Sequence, residues 1–138
     1  MNKFYAVNKS LVPKRATIDS AGYDFFAPHD FIVPAHGTSD CIDSGVSIKL
    51  DDDKVLMCYV RSSYGFKHNT RLINGTGVVD AGYFPNTIKC ILKNDSDEDL
   101  VVHQGDRYMQ GVIMQFFKVD DEEEVTTIRN GGLGSTGL

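Results

Sequence analysis

A chain of 138 residues can bury one hydrophobic core and is too short for two. Its 41% hydrophobic and 24% charged residues are an ordinary globular balance, and no stretch nears the roughly 18 apolar residues of a membrane span. A net charge of −5 excludes the broad basic surface that grips DNA or RNA, so any phosphate must be held locally, by a few arginines, main-chain amides and a cation.

Taken in chain order, the opening MNKFYAVNKS lacks the apolar core of a signal peptide, which points to the cytoplasm of a cell or of an infected host. Pro34-Ala35-His36-Gly37 reads as a turn. In GVSIKL (45–50), Val46, Ile48 and Leu50 alternate with small or polar residues, the period of a strand. Asp51-Asp52-Asp53 reads as a charged hairpin turn and not a metal site, because three adjacent acids project in different directions. KVLMCYV (54–60), TIKCILKN (87–94) and LVVH (100–103) are short, apolar and β-branched, and read as strands. Turn signals separate them at 81–82 and 94–97. YMQGVIMQFF (108–117) fits both a helix face and an alternating strand; Gly111 and the strand-rich surroundings favour the strand. The pattern as a whole predicts an all-β barrel or sandwich over residues 1–119.

Residues 120–138 differ in character. DDEEE (120–124) reads as a solvated acidic linker. RNGGLGSTGL (129–138) buries little and loses much backbone entropy on ordering, so composition allows either a disordered tail or a flap whose amides wrap an anion. The three cysteines, Cys41, Cys58 and Cys90, are scattered and read as reduced thiols. The histidines at 29, 36, 68 and 103 show no metal-ligand spacing.

Five short segments carry chemistry that converges on a phosphate ester. Ala21-Gly22-Tyr23-Asp24 offers a carboxylate beside a glycine. Arg61-Ser62-Ser63 presents a guanidinium and two hydroxyls after a strand, a clamp for phosphate. NGTGVVDAGY (74–83) sets Asp80 at a strand end with Tyr83 three residues on. GDRYMQG (105–111) combines an acid, a base and an amide, and the glycine-rich tail closes the set. Each alone is weak, since a D-A-G can simply be a turn.

In this order the five segments resemble the motifs of the trimeric dUTPase family, from residue 21 to the C-terminus. A-G-x-D matches residues 21–24, and R-S-S-x-G matches 61–65 with Val60 where the family has proline. G-V-V-D-x-G-Y matches 77–83, G-D-R-x-x-Q matches 105–110, and R-x-G-G-x-G-S-T-G matches 129–137. Leu133 stands in place of a phenylalanine, which removes aromatic stacking on the base. Gly82 stands where many members have aspartate, and the stretch from Tyr83 to Lys89 is one residue longer than usual.

The resemblance implies a distorted jelly-roll of the β-clip type and hydrolysis of dUTP to dUMP and pyrophosphate, which limits uracil in DNA and supplies dUMP for thymidylate synthesis. Asp80 matches the family's general base, which takes a proton from the water attacking the α-phosphorus. Gln110 would orient that water or the α-phosphate. Arg61, Ser62, Ser63 and Arg129 would take the phosphate charge. Main-chain groups of the third-motif hairpin, roughly residues 77–89 and including Gly77, Val78, Val79 and Lys89, would recognise the base, Asn74 would lie near the sugar and base, and Tyr83 would lie under the deoxyribose. Leu133, Gly134 and Ser135 would close over the substrate. Asp24 matches the residue that holds Mg²⁺ through a water. The family is a homotrimer with shared active sites: motifs one, two and four come from one chain, three from a second and five from a third.

Two readings compete. A dCTP deaminase shares the fold and an R-S-S segment, but this chain has TIKCIL, with Cys90, where that family places a glutamate. A non-catalytic nucleotide-binding protein would not require Asp80, Asp24 and Gln110 together.

Overall fold

A computed structural model describes residues 1–129. These residues form twelve short strands, one α-helix and two single-turn 3-10 helices (Lys9–Leu11 and Ala81–Tyr83): β1 (Lys3–Ala6), β2 (Tyr23–Phe26), β3 (Phe31–Val33), β4 (Ile42–Asp43), β5 (Val46–Lys49), β6 (Lys54–Val60), α1 (Ser62–His68), β7 (Thr70–Leu72), β8 (Gly77–Val79), β9 (Lys89–Cys90), β10 (Leu92–Asn94), β11 (Leu100–Val102) and β12 (Arg107–Gln115). The strands pair β1 with β5, β7 with β10, β3 with β11 and β4 with β9, around a four-stranded sheet in the order β2-β12-β6-β8. Every pairing is antiparallel, giving the all-β jelly-roll. Among the described residues, no helix is long and apolar enough to cross a membrane.

The strand at 54–60 and the strand reading of 108–117 hold. Four expectations differ. TIKCILKN breaks into β9 and β10, because Lys89–Cys90 pairs with β4 while Leu92–Asn94 pairs with β7. The Asp51–Asp53 turn is no hairpin: it joins β5 to β6, and these strands lie in different sheets. Segment 77–89 is likewise not a hydrogen-bonded hairpin, since β8 pairs with β6 and β9 with β4. The helix, α1, follows Arg61 directly. It buries only Tyr64, and Asn69 ends it in the left-handed conformation (φ 45°) with its N–H bonded to the Tyr64 carbonyl.

One irregularity positions the site. The β12–β2 register shifts between Arg107 and Met109, a β-bulge that lets consecutive residues Tyr108 and Met109 both turn into the core, at 0% and 1% exposure. Past the bulge, alternation places Gln110 on the other face, opposite Asp24 on β2 and Tyr59 on β6. Gly111 then faces inward. A Cβ there would lie 2.8 Å from Leu56 Cδ1 and 3.3 Å from Phe25 Cε1, so packing explains the glycine.

Candidate active site

Among the described residues β8 is an edge strand, with β6 on one side only, so its other edge of main-chain groups has no strand partner there. Because β9 leaves to pair elsewhere, a cavity of about 180 Å³ opens between the two segments. The sequence-derived residues Asn74, Gly77, Val78, Val79, Asp80, Tyr83, Lys89 and Arg129 line it. Its apolar floor comes from residues that sequence reasoning did not assign: Cys58, Leu72, Ile88, Cys90 and Met109. The inward alternation of Leu56, Cys58 and Val60 along β6 was the signal for Cys58. Burial pushes the Cys58 and Cys90 thiols up to about 12, so both are neutral walls at physiological pH. All three cysteines are free, and Cys41 is exposed.

Asp80 follows β8 and leads into a turn at Ala81–Tyr83 whose Tyr83 N–H donates to the Asp80 carbonyl at 3.0 Å. Its carboxylate is half exposed and accepts a 2.6 Å bond from Arg129 Nη2. A Cβ at Gly82 would meet the Arg129 side chain at 3.7 Å, an ordinary contact, so packing does not require the glycine. Arg129 thus lies beside the Asp80 of its own chain. The remaining tail residues Leu133, Gly134 and Ser135 lie outside the described residues. Tyr83 Oη donates to the Thr87 carbonyl at 2.9 Å, which holds the ring in place. Lys89 Nζ donates to the Thr87 carbonyl at 3.3 Å and lies 3.9 Å from Asp43.

The other sequence-derived residues gather elsewhere. Gln110 stands across the strand pair from Asp24, and its Nε2 donates weakly to the Val60 carbonyl at 3.4 Å. Gly22 approaches so closely that a Cβ would sit 2.5 Å from Gln110 Oε1, which gives the glycine of A-G-Y-D a role: it leaves room for the amide. Arg61 directly precedes α1, its N–H bonded to the Tyr108 carbonyl at 3.4 Å, with Ser62 exposed and Ser63 half-buried in the first helical turn. None of Asp24, Arg61, Ser62, Ser63 and Gln110 lines the Asp80 cavity. The reason is the bulge: Met109 faces that cavity, so Gln110 turns away from it.

Among the described residues, no three His, Cys, Asp or Glu side chains gather to hold a metal. Asp24 is a single carboxylate, 17% exposed, with Arg107 Nη1 at 3.6 Å. One carboxylate beside an arginine does not make a resident metal site. It does fit Mg²⁺ that arrives on phosphate oxygens and keeps most of its waters.

A family model described as dUTPase matches residues 8–137. A deoxyuridine 5'-triphosphate nucleotidohydrolase of Lactococcus lactis is 38% identical over 132 residues, covering 91% of this chain and 87% of that protein. One of Paramecium bursaria Chlorella virus 1 is 31% identical over 136 residues, covering 96% and 94%. Among solved structures, dUTPase from Streptococcus mutans superposes with a TM-score of 0.75 at 31% identity, covering 86% of this chain and 98% of that one. The fold is shared also with the dUTPase of phage phi11 of S. aureus (TM-score 0.77, 18% identity, 92% and 97% covered). Another structure of that phage enzyme, a mutant, has a coordinated structural Mg(II) ion (TM-score 0.76, 18% identity, 90% and 96% covered).

Proposed function

Since this chain belongs to the dUTPase family, we propose that it is a dUTP diphosphatase, hydrolysing dUTP to dUMP and pyrophosphate with Asp80 as the general base. The observation that carries this is the cavity beside the free edge of β8, with a carboxylate at its mouth. Uracil presents a donor between two acceptors, and the unpaired main-chain groups of Gly77–Val79 are suited to read that order, which cytosine does not share. The apolar floor takes the face of the base, and Tyr83, tied to Thr87, leaves no room for a ribose 2′-hydroxyl.

Asp80 takes the proton of the attacking water, which is a poor nucleophile while neutral. Arg129 donates to one oxygen of that carboxylate, and a triphosphate offers the guanidinium stronger partners, which frees the base. Arg61, Ser62 and Ser63 hold phosphate, and Gln110 orients the water or the α-phosphate. Mg²⁺, when bound, offsets charge on the phosphate oxygens, and Asp24 would hold it through a water.

One chain does not bring Asp80 and Gln110 to one place, so the site is completed by another copy. The outer face of the four-stranded sheet supports this: Val78 is 60% and Met114 46% exposed there, beside Met57 and Val112. The copy number is carried over from the family, a homotrimer with closed symmetry. The test mixes two inactive proteins. Asp80→Asn and Gln110→Ala subunits should each lose several orders of magnitude in kcat, and co-assembled trimers should recover a measurable share of pyrophosphate release from dUTP. Recovery requires the two residues to act from different chains; verified mixed trimers without activity would refute the shared site.

A further inference from the structure

We propose that Asn74 is a site of spontaneous modification: through the Asn74-Gly75 pair its side-chain amide converts slowly to a carboxylate, and the change weakens substrate binding in the Asp80 cavity. The consequence for the substrate rests on the proposed function; the chemistry does not. Of the asparagines in the sequence only Asn74 and Asn130 precede a glycine, and Asn130 lies outside the described residues. Glycine has no side chain to shield its main-chain nitrogen, so an asparagine before it is the most thermolabile. The Gly75 nitrogen, giving its proton to a solvent base, attacks Cγ of Asn74. The N–Cγ bond forms, the Cγ–Nδ2 bond breaks, and Nδ2 leaves as ammonia. Water then opens the cyclic imide at either carbonyl, leaving aspartate or isoaspartate. The sum is amide plus water to acid plus ammonia, with nothing oxidised or reduced.

The fold leaves this pair open to the reaction. Asn74 and Gly75 follow β7 in a turn, and both are exposed. Nothing lies within 4 Å of a Cβ placed at Gly75, so the imide has room to close. The Gly75 N–H donates to the Leu72 carbonyl at 2.8 Å, and that bond must open before the attack. It is a single bond in an exposed turn, where local opening costs little. Asn94 shows the opposite case: it is fully buried, and its Nδ2 donates to the carbonyls of Val33 and Glu98 at 3.0 and 2.8 Å. The labile pair is also imposed by the turn. Gly75 has φ 76°, in the left-handed region that a side chain strains, so the bend that carries Asn74 to the cavity calls for the residue that makes it reactive. Asn74 lines the Asp80 cavity. Its amide donates as well as accepts, whereas a carboxylate only accepts and sets a negative charge beside a polyanionic substrate. Isoaspartate also adds a carbon to the main chain just ahead of Gly77, where β8 begins.

The test incubates the full-length protein at mildly alkaline pH and follows the asparagine-containing peptides by mass spectrometry, with pyrophosphate release from dUTP measured on the same samples. The Asn74 peptide should gain acid and isoaspartate forms while the Asn94 peptide stays an amide, and kcat/KM should fall in step with the converted fraction. Asn74→Asp, made directly, should lower kcat/KM by about tenfold, mainly through KM, the scale of one lost hydrogen bond beside an added charge. Asn74 is exposed, so that variant should fold with an unchanged melting temperature. Asn74→Gln, whose longer side chain must close a larger ring, should hold its starting activity longer than wild type holds its own; any loss through Asn130 is common to both. An Asn74 peptide still unconverted when the Asn130 peptide has reacted would show that the turn protects it, and overturns the proposal. An Asn74→Asp enzyme within about twofold of wild type overturns it as well. Wild-type protein that releases no pyrophosphate from dUTP removes the reading on which the consequence rests, while the peptide masses still decide the chemistry.

Discussion

Gly22 offers a sharp test of how the second group of site residues is built. An alanine Cβ at this position would come 2.5 Å from Gln110 Oε1, and ordinary contact begins near 3.4 Å, so the amide oxygen must move by 0.9 Å (3.4 − 2.5). The nearest atom belongs to the free end of a flexible side chain, and Gly22 does not need a left-handed backbone. The substitution should therefore fold, with stability changed by no more than about 0.5 kcal/mol. Gln110 itself is held in place only by a long 3.4 Å bond to the Val60 carbonyl, so it yields. A displacement near 1 Å of a group that positions the reacting atoms costs about 10²-fold in rate. Gly22→Ala should lower kcat for pyrophosphate release from dUTP by that amount while the melting temperature stays put. Adding it to a Gln110→Ala background should cost nothing further, because the group it displaces is gone. A Gly22→Ala enzyme within about twofold of wild type would refute both the crowding argument and the role given to Gln110.

Tyr83→Ala should narrow the preference for dUTP over UTP, read as the ratio of kcat/KM values; a wild-type enzyme that treats both alike would remove the steric role of the ring. Tyr108 is fully buried, and among the described residues its hydroxyl has no hydrogen-bond partner. Tyr108→Phe should thus stabilise the protein by about 1 kcal/mol in denaturant unfolding, and a comparable loss would show that the hydroxyl is satisfied after all.

The residue types and their order were enough to identify the chemistry. The short apolar, β-branched run KVLMCYV gave β6 its bounds, the glycine inside YMQGVIMQ argued for the strand that became β12, and Asp80 was legible at the end of its strand. The five segments named the candidate residues for phosphate chemistry, because guanidinium, hydroxyl, carboxylate and amide are fixed by side-chain type and need no coordinates. The short N-terminal strands were not legible, being two to four residues long and without a sustained period. Nor was α1, whose SSYGFKH carries a glycine and buries a single side chain. What the tertiary structure alone decided is which segments meet. Neither the partner of β9 nor the crossing of sheets at the Asp51–Asp53 turn is encoded in local period, since both follow from long-range pairing. The bulge at Tyr108–Met109 matters most. Strict alternation from Arg107 would bury Tyr108 and Gln110 and expose Met109; one extra residue in the strand reverses this, sending Met109 to the Asp80 cavity and Gln110 to the opposite face beside Asp24. That reversal places the candidate residues of one chain on two surfaces, Asp80 on one and Gln110 with Asp24 on the other.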